Sequence, residues 1–311
     1  MKAVFSFRCT KLISVRLACN LAMATGASMW LMLPTQAMAQ TAQQYFARPE
    51  QAGQALVDAV RHGDDATVTA ILGPQATTIS SGDRAEDAEA QKAFVRKYET
   101  MHRWARLSDD SEILYVGADN YAYPFPLKQQ GVQGWYFDGA AGADEITARR
   151  IGGNELLAMD AVNAIAGAEE AYKAKEQQYT SRIVSTPGAQ DGLYWQTNKG
   201  ESPSPLGDLR NLQTCTSCVG GGQVFDGYVF RILTAQQAAA NTNASSYLVN
   251  GKMTGGFAVL ASPVSYGNTG IMSFIIDRDG VLYEKDLGPT TTAVASAIRS
   301  YHPADGWGVA N

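Results

Sequence analysis

Apolar and polar positions sort most clearly in the last third of the chain. Tyr228–Leu233, Gly256–Ala261, Ile271–Asp277 and Val281–Glu284 are short apolar runs rich in aromatic and β-branched residues, each bounded by turn residues. They predict a four-stranded antiparallel sheet. Asp277-Arg-Asp-Gly280 sits between two of the runs and predicts a hairpin turn. It starts like a calcium loop, but Leu282 and Gly288 stand where that loop needs Gly and Glu.

Helical spacing dominates elsewhere. Pro49–Arg61 places Ala52, Leu56, Val57 and Val60 on one face, with Pro49 in the first turn and His62-Gly63 as the stop. Asp64 predicts the cap of a second, short helix that buries Val68, Ile71 and Leu72. A longer helix is predicted over Asp83–Leu107, with Phe94, Tyr98, Met101 and Ala105 as its stripe and charges that suit the helix dipole. Strands follow at Glu112–Gly117, Tyr121–Leu127 and Val132–Asp138; Pro124 and Pro126 make the middle one an edge or bulged strand. Gly139–Gly153 is small, polar and glycine-rich. From Asn154 to about Gln178 a helix buries Leu156, Met159, Val162, Ile165 and Tyr172. Ser185–Gly222 is a long Pro, Gly and Ser-rich loop, and Thr290–Ser300 is a terminal helix.

These elements predict an α+β protein. A domain boundary near Arg150 separates residues 40–150, helices followed by an antiparallel meander, from residues 151–311, a long helix packed on the four-stranded sheet. The element order of the first part resembles the cone-shaped folds called nuclear-transport-factor-2-like and cystatin-like.

Composition changes this picture at the N-terminus. Lys2, Arg8, Lys11 and Arg16 precede a mostly apolar stretch, and Ala37-Met38-Ala39 fits signal-peptidase cleavage, so residues 1–39 are expected to be a signal peptide. The expected location is the periplasm or beyond, with no membrane span after cleavage. The mature chain keeps 21 of the 25 basic residues against all 30 acidic ones, a formal net charge of −9. That balance excludes general nucleic-acid binding. Cys215 and Cys218, spaced C-x-x-C, remain after cleavage. A small structural disulfide is expected of them, with a redox dithiol or a metal site as the alternatives.

No other motif carries chemistry. His62, His102 and His302 are isolated, and neither a nucleophile elbow nor a phosphate-binding loop occurs. No cofactor is implied. Adjacent carboxylates such as Glu169-Glu170 read as solvated helix faces. Asp191, Tyr194 and Trp195 in the long loop, with Arg231, are the candidate binding residues, since Tyr, Trp and Arg are enriched at binding surfaces. The expected function is a non-catalytic binding or scaffolding module whose partner is another envelope protein or a small ligand. The alternative is a small-molecule hydrolase or isomerase with Tyr98, His102, Tyr123 and Trp135 lining the cone of the first domain.

Gly227–Leu233, Ile271–Gly288, Gly192–Trp195, Arg149–Leu156 and Ser202–Gly207 are similar to segments of a family of exported bacterial proteins known only as a domain of unknown function, DUF2950. The resemblance spans nearly all of the mature chain. It implies export and a two-part layout, and no activity. The C-terminal half, a helix and loop followed by Gly227–Phe230, Phe257–Pro263 and Phe274–Gly280, also resembles the globular part of type II secretion pseudopilins, which implies a pilin-like fold there.

Overall fold

In the computed structural model the described residues are 43–80, 83–197, 200, 202–207, 213–214, 222–236, 245–304 and 306–310. The expected signal peptide and the Cys215–Cys218 pair lie outside them. The chain from Thr41 onward forms one compact unit of mixed helix and antiparallel sheet.

Local signals set the first helices. Helix α1 (Pro49–His62) has Pro49 in its first turn and closes on Gly63 in the left-handed conformation. Helix α2 (Asp65–Leu72) is capped by Asp64, whose carboxylate accepts from the Thr67 N–H at 3.0 Å. Helix α3 (Arg84–Thr100) is capped by Asp83. It does not run on to Leu107 as its stripe predicts. Met101 turns extended, and His102–Arg106 becomes strand β1. Pairing decides this: β1 runs antiparallel to β2 (Glu112–Val116), with Trp104 opposite Leu114. The His102 ring stacks on Tyr98 at 3.9 Å, and its Nδ1 donates to the Tyr98 carbonyl at 2.9 Å, so a carbonyl freed at the helix end is satisfied.

Pro124 and Pro126 split the next predicted strand outright, because neither can donate to a ladder. Its start is β3 (Tyr121–Ala122), paired with β2; its end passes into β4 (Leu127–Gln130). Strand β5 (Gly134–Phe137) completes a sheet ordered β1-β2-β4-β5, with β3 also on β2. Leu56, Val57, Ile71 and Leu72 from the helices and Leu114, Phe125, Leu127 and Phe137 from the sheet side form its core.

The largest departure from the sequence reading is at Gly139–Gly153. This stretch is helical, and with the predicted 154–178 helix it makes one helix, α4 (Gly139–Glu176), about 57 Å long. The cap is Asp138, which accepts from the Ala141 N–H at 3.0 Å; Asn154 instead reaches the Thr269 carbonyl at 2.8 Å. Beside it Glu155 accepts the Ile271 and Met272 N–H groups, both at 2.9 Å.

The second sheet has seven strands where four are predicted. Its members are β6 (Gln213–Thr214), β7 (Gln223–Phe225), β8 (Tyr228–Leu233), β13 (Ala258–Pro263), β14 (Met272–Asp277), β15 (Tyr283–Asp286) and β16 (Gly308–Val309), ordered β16-β15-β14-β13-β8-β7-β6. Two ribbons interrupt the numbering: β9 (Ala235–Gln236) with β10 (Ser245–Ser246), and β11 (Leu248–Val249) with β12 (Lys252–Met253). The additional strands of the main sheet are two or three residues long and lie at its edges, too short for a sequence pattern. The Asp277–Gly280 turn forms as expected, with the Gly280 N–H bonded to the Asp277 carbonyl at 3.0 Å. Alternation gives the sheet two apolar faces. Tyr228, beside Glu155 of α4, marks one face, which also carries Phe230 and Phe274. Arg231, Leu260 and Ile275 stand in one cross-strand row on the other. Helix α5 (Thr291–Ala297) lies on that second face.

Candidate functional site

The four candidate binding residues fall at two separate places. Asp191, Tyr194 and Trp195 belong to a strap, residues 179–195, that follows α4. Tyr179 bridges to Met253, and Val184 bridges to Tyr194. Asp191 is a turn-former: its carboxylate accepts the Thr186 N–H and hydroxyl, both at 2.7 Å, and these bonds hold it below the usual carboxylate range. Trp195 is buried, and the Lys175 ammonium sits 5.7 Å from its ring.

Beneath the strap lies a group that adjacent-carboxylate reasoning misplaces. Glu169 and Glu170 are neighbours on α4 and point different ways. Glu170 is exposed and accepts the Tyr179 hydroxyl at 2.8 Å. Glu169 is fully buried. Its Oε2 accepts the Thr180 N–H at 3.0 Å, while Oε1 is buried without a hydrogen-bond partner. Burial pushes its carboxyl up to about 8, opposed by the Thr180 N–H and aided by the charge of Glu170. Thr180 in turn donates its hydroxyl to the Asp191 carbonyl at 2.6 Å, so Glu169 and the strap turn form one bonded unit. Glu169 works here as an anchor for the strap.

Arg231 takes no part in that unit. It sits under α5, where Nη2 donates to the carbonyls of Ala295 at 2.6 Å and Ile298 at 3.0 Å. The Ala295 carbonyl also accepts the Ile298 N–H at 3.2 Å, so Arg231 adds a second bond there at the end of the helix. Burial and the nearby Arg299 charge lower its affinity for the proton. Replacing it with Met removes two charge-assisted bonds at about 1.5 kcal/mol or more each, so Arg231→Met is expected to cost about 3 kcal/mol. Urea unfolding reads the loss, and faster amide exchange at 291–298 locates it.

Beside Arg231 a cleft of about 340 Å³ opens between α5, strands β14 and β15, and the chain from Arg299 to His302 with Trp307. Lys285, Arg299 and His302 bring basic groups to it. Leu287, Val294 and Trp307 bring apolar surface, together with Ile275 from the sheet. Among the described residues that line it there is no carboxylate. A second, larger cleft of about 500 Å³ lies on the N-terminal sheet, but its charges already pair locally: Lys128 with Asp138 at 2.8 Å, Arg106 with Glu112 at 3.4 Å, and Asp109 with the Ser111 hydroxyl at 2.6 Å. That cleft is a solvated rim.

Three of the four residues placed in the cone, Tyr98, Tyr123 and Trp135, are buried members of the N-terminal core, and His102 is stacked on Tyr98. Among the described residues no cluster of three or more His, Cys, Asp or Glu is placed to hold a metal ion, and no helix is long and apolar enough to cross a membrane.

The model of one protein family, described as a protein of unknown function (DUF2950), matches residues 43–310. No curated protein and no solved structure matches the chain.

Proposed function

The chain belongs to the family of unknown function DUF2950, which covers it from residue 43 to residue 310, and from that premise we propose that it is a non-catalytic binding module of the bacterial envelope, exported to the periplasm or beyond. The observation that carries the reading is the α5 cleft. It joins basic and apolar side chains on a rigid sheet, which is the make-up of a small-ligand site.

In this reading the C-terminal half is a pilin-like platform and the N-terminal half a cone-like one, of the nuclear-transport-factor-2-like or cystatin-like kind. A helix laid on antiparallel strands in each half supports both assignments. The basic leader ending in Ala37-Met38-Ala39 supports export, and a small structural disulfide between Cys215 and Cys218 suits the oxidising compartment. The protein released from cells at native expression is expected to start near Gln40 and to carry a bound species in native mass spectrometry. Recovery with the leader retained removes the export. Recovery as bare chain, with no specific partner after crosslinking, removes the binding role.

A further inference from the structure

We propose that the α5 cleft binds a small amphipathic anion, one negatively charged head on an unbranched or ring-shaped apolar body. The proposal rests on the binding-module reading and names the class of ligand.

Charge supports the head. The whole chain is acidic, with a formal net charge of −5, yet the exposed Arg299 guanidinium lines this cleft with Arg231 at its side. Burial, and then the charge of Arg299 nearby, disfavour the charged form of Arg231. Arg231 is fixed by the α5 carbonyls and cannot move away. A bound anion relieves that repulsion in a partly desolvated place, where attraction between charges is stronger than in bulk water. Arg299 is solvent-exposed, and its Nη1 donates to the Ser296 carbonyl. A guanidinium has five donors, so further ones face the solvent side for a planar head to take in pairs.

Shape supports the body. Leu287, Val294 and Trp307 line it with apolar surface, together with Ile275 from the sheet. At about 30 Å³ per water, 340 Å³ holds about eleven waters, the low end for small-molecule sites. That fits a medium-chain or aromatic acid of roughly ten to fifteen non-hydrogen atoms and is too small for a folded partner's edge. A fully apolar ligand would gain nothing from the cationic side of the cleft. A multiply charged ion would gain nothing from Trp307 and Leu287.

Octanoate is the probe, titrated into the ¹⁵N-labelled mature protein, with 1-octanol and octylammonium as matched controls. Octanoate is expected to shift amides between 285 and 302 saturably. Octanol should bind at least about tenfold more weakly, and octylammonium not at all. Arg299→Gln and Val294→Asp change exposed positions, leave the fold intact, and are each expected to weaken octanoate about tenfold. Arg96→Gln, on α3, should change nothing. Equal binding of octanol and octanoate, shifts outside the cleft, or an Arg299→Gln titration that matches Arg96→Gln overturns the proposal. If octanoate fails but the protein from cells still carries a bound species, the cleft assignment falls and the binding-module reading stands. If octanoate binds as expected and the native protein is bare, the cleft has the right chemistry but the module reading loses its support.

Discussion

Replacing Glu169 with Gln is expected to leave stability about level near pH 5 and to raise it by about 2–4 kcal/mol at pH 8.5. The carboxyl is fully buried, one oxygen has no partner, and burial raises it from 4.5 to about 8. Between those two values the folded protein holds a proton that the unfolded chain has released. Stability therefore falls as pH rises through that window, by up to about 1.4 kcal/mol per unit, and levels off above about pH 8. The ceiling over the whole window is about 5 kcal/mol. An amide has no proton to lose. Its oxygen can accept the Thr180 N–H as Oε2 does now, and its NH₂ is left without an acceptor at a pH-independent cost of about 1–2 kcal/mol. The buried charge outweighs the unmade amide bond above pH 7, and the order reverses near pH 5. Urea unfolding of both proteins at pH 5, 6, 7 and 8.5 measures the difference, in which contributions common to both proteins cancel. A difference that stays constant with pH removes Glu169 as a buried, protonated anchor.

Glu169 also shows where sequence reading stops. Two adjacent glutamates on a helix are equivalent in the sequence; which one is buried depends on how α4 is rotated beneath a strap that begins at Tyr179. The α5 cleft was unreadable for a related reason. Its lining comes from β14, β15, α5 and, further on, Arg299, Ser300, His302 and Trp307, pieces that only the seven-stranded order brings together. Elements with their own punctuation were legible. Pro49 and Gly63 bracket α1, Asp64 caps α2, and Tyr228–Leu233 is a strand over the span that its residues predict. The α3 stripe misled because Phe94, Tyr98, Met101 and Ala105 keep helical spacing past Thr100, while Trp104 finds Leu114 across the sheet. There tertiary pairing outweighs a local period.

The glycines of 139–153 carry the sharpest test of the fold, because the sequence shows only a small, polar, glycine-rich stretch with a domain boundary near Arg150, and the structure a packed helix. Gly142 lies on the buried face of α4 where it crosses Phe125. A Cβ there would stand under 3.0 Å from three carbons of that fully buried ring, and one at Gly139 would meet the Leu72 carbonyl at 2.5 Å. Gly153, one of the exposed positions of the same helix, has nothing within 4 Å of such a Cβ. Alanine gains up to about 1 kcal/mol over glycine in a helix interior from propensity. At Gly142 overpacking against an aromatic ring with no room to retreat costs about 1–3 kcal/mol and more than cancels that gain. Gly142→Ala is expected to lower stability by about 1–2 kcal/mol, or roughly 2–8 °C in Tm for a chain of this size. Gly153→Ala should raise stability by about 0.5–1 kcal/mol. Gly142→Leu should prevent the first core from closing around Phe125, seen as loss of cooperative unfolding in the N-terminal half. Thermal unfolding of the two alanine variants side by side decides the matter. A flexible linker tolerates both changes with no shift in either, whereas a continuous α4 requires shifts of opposite sign from two glycines eleven residues apart.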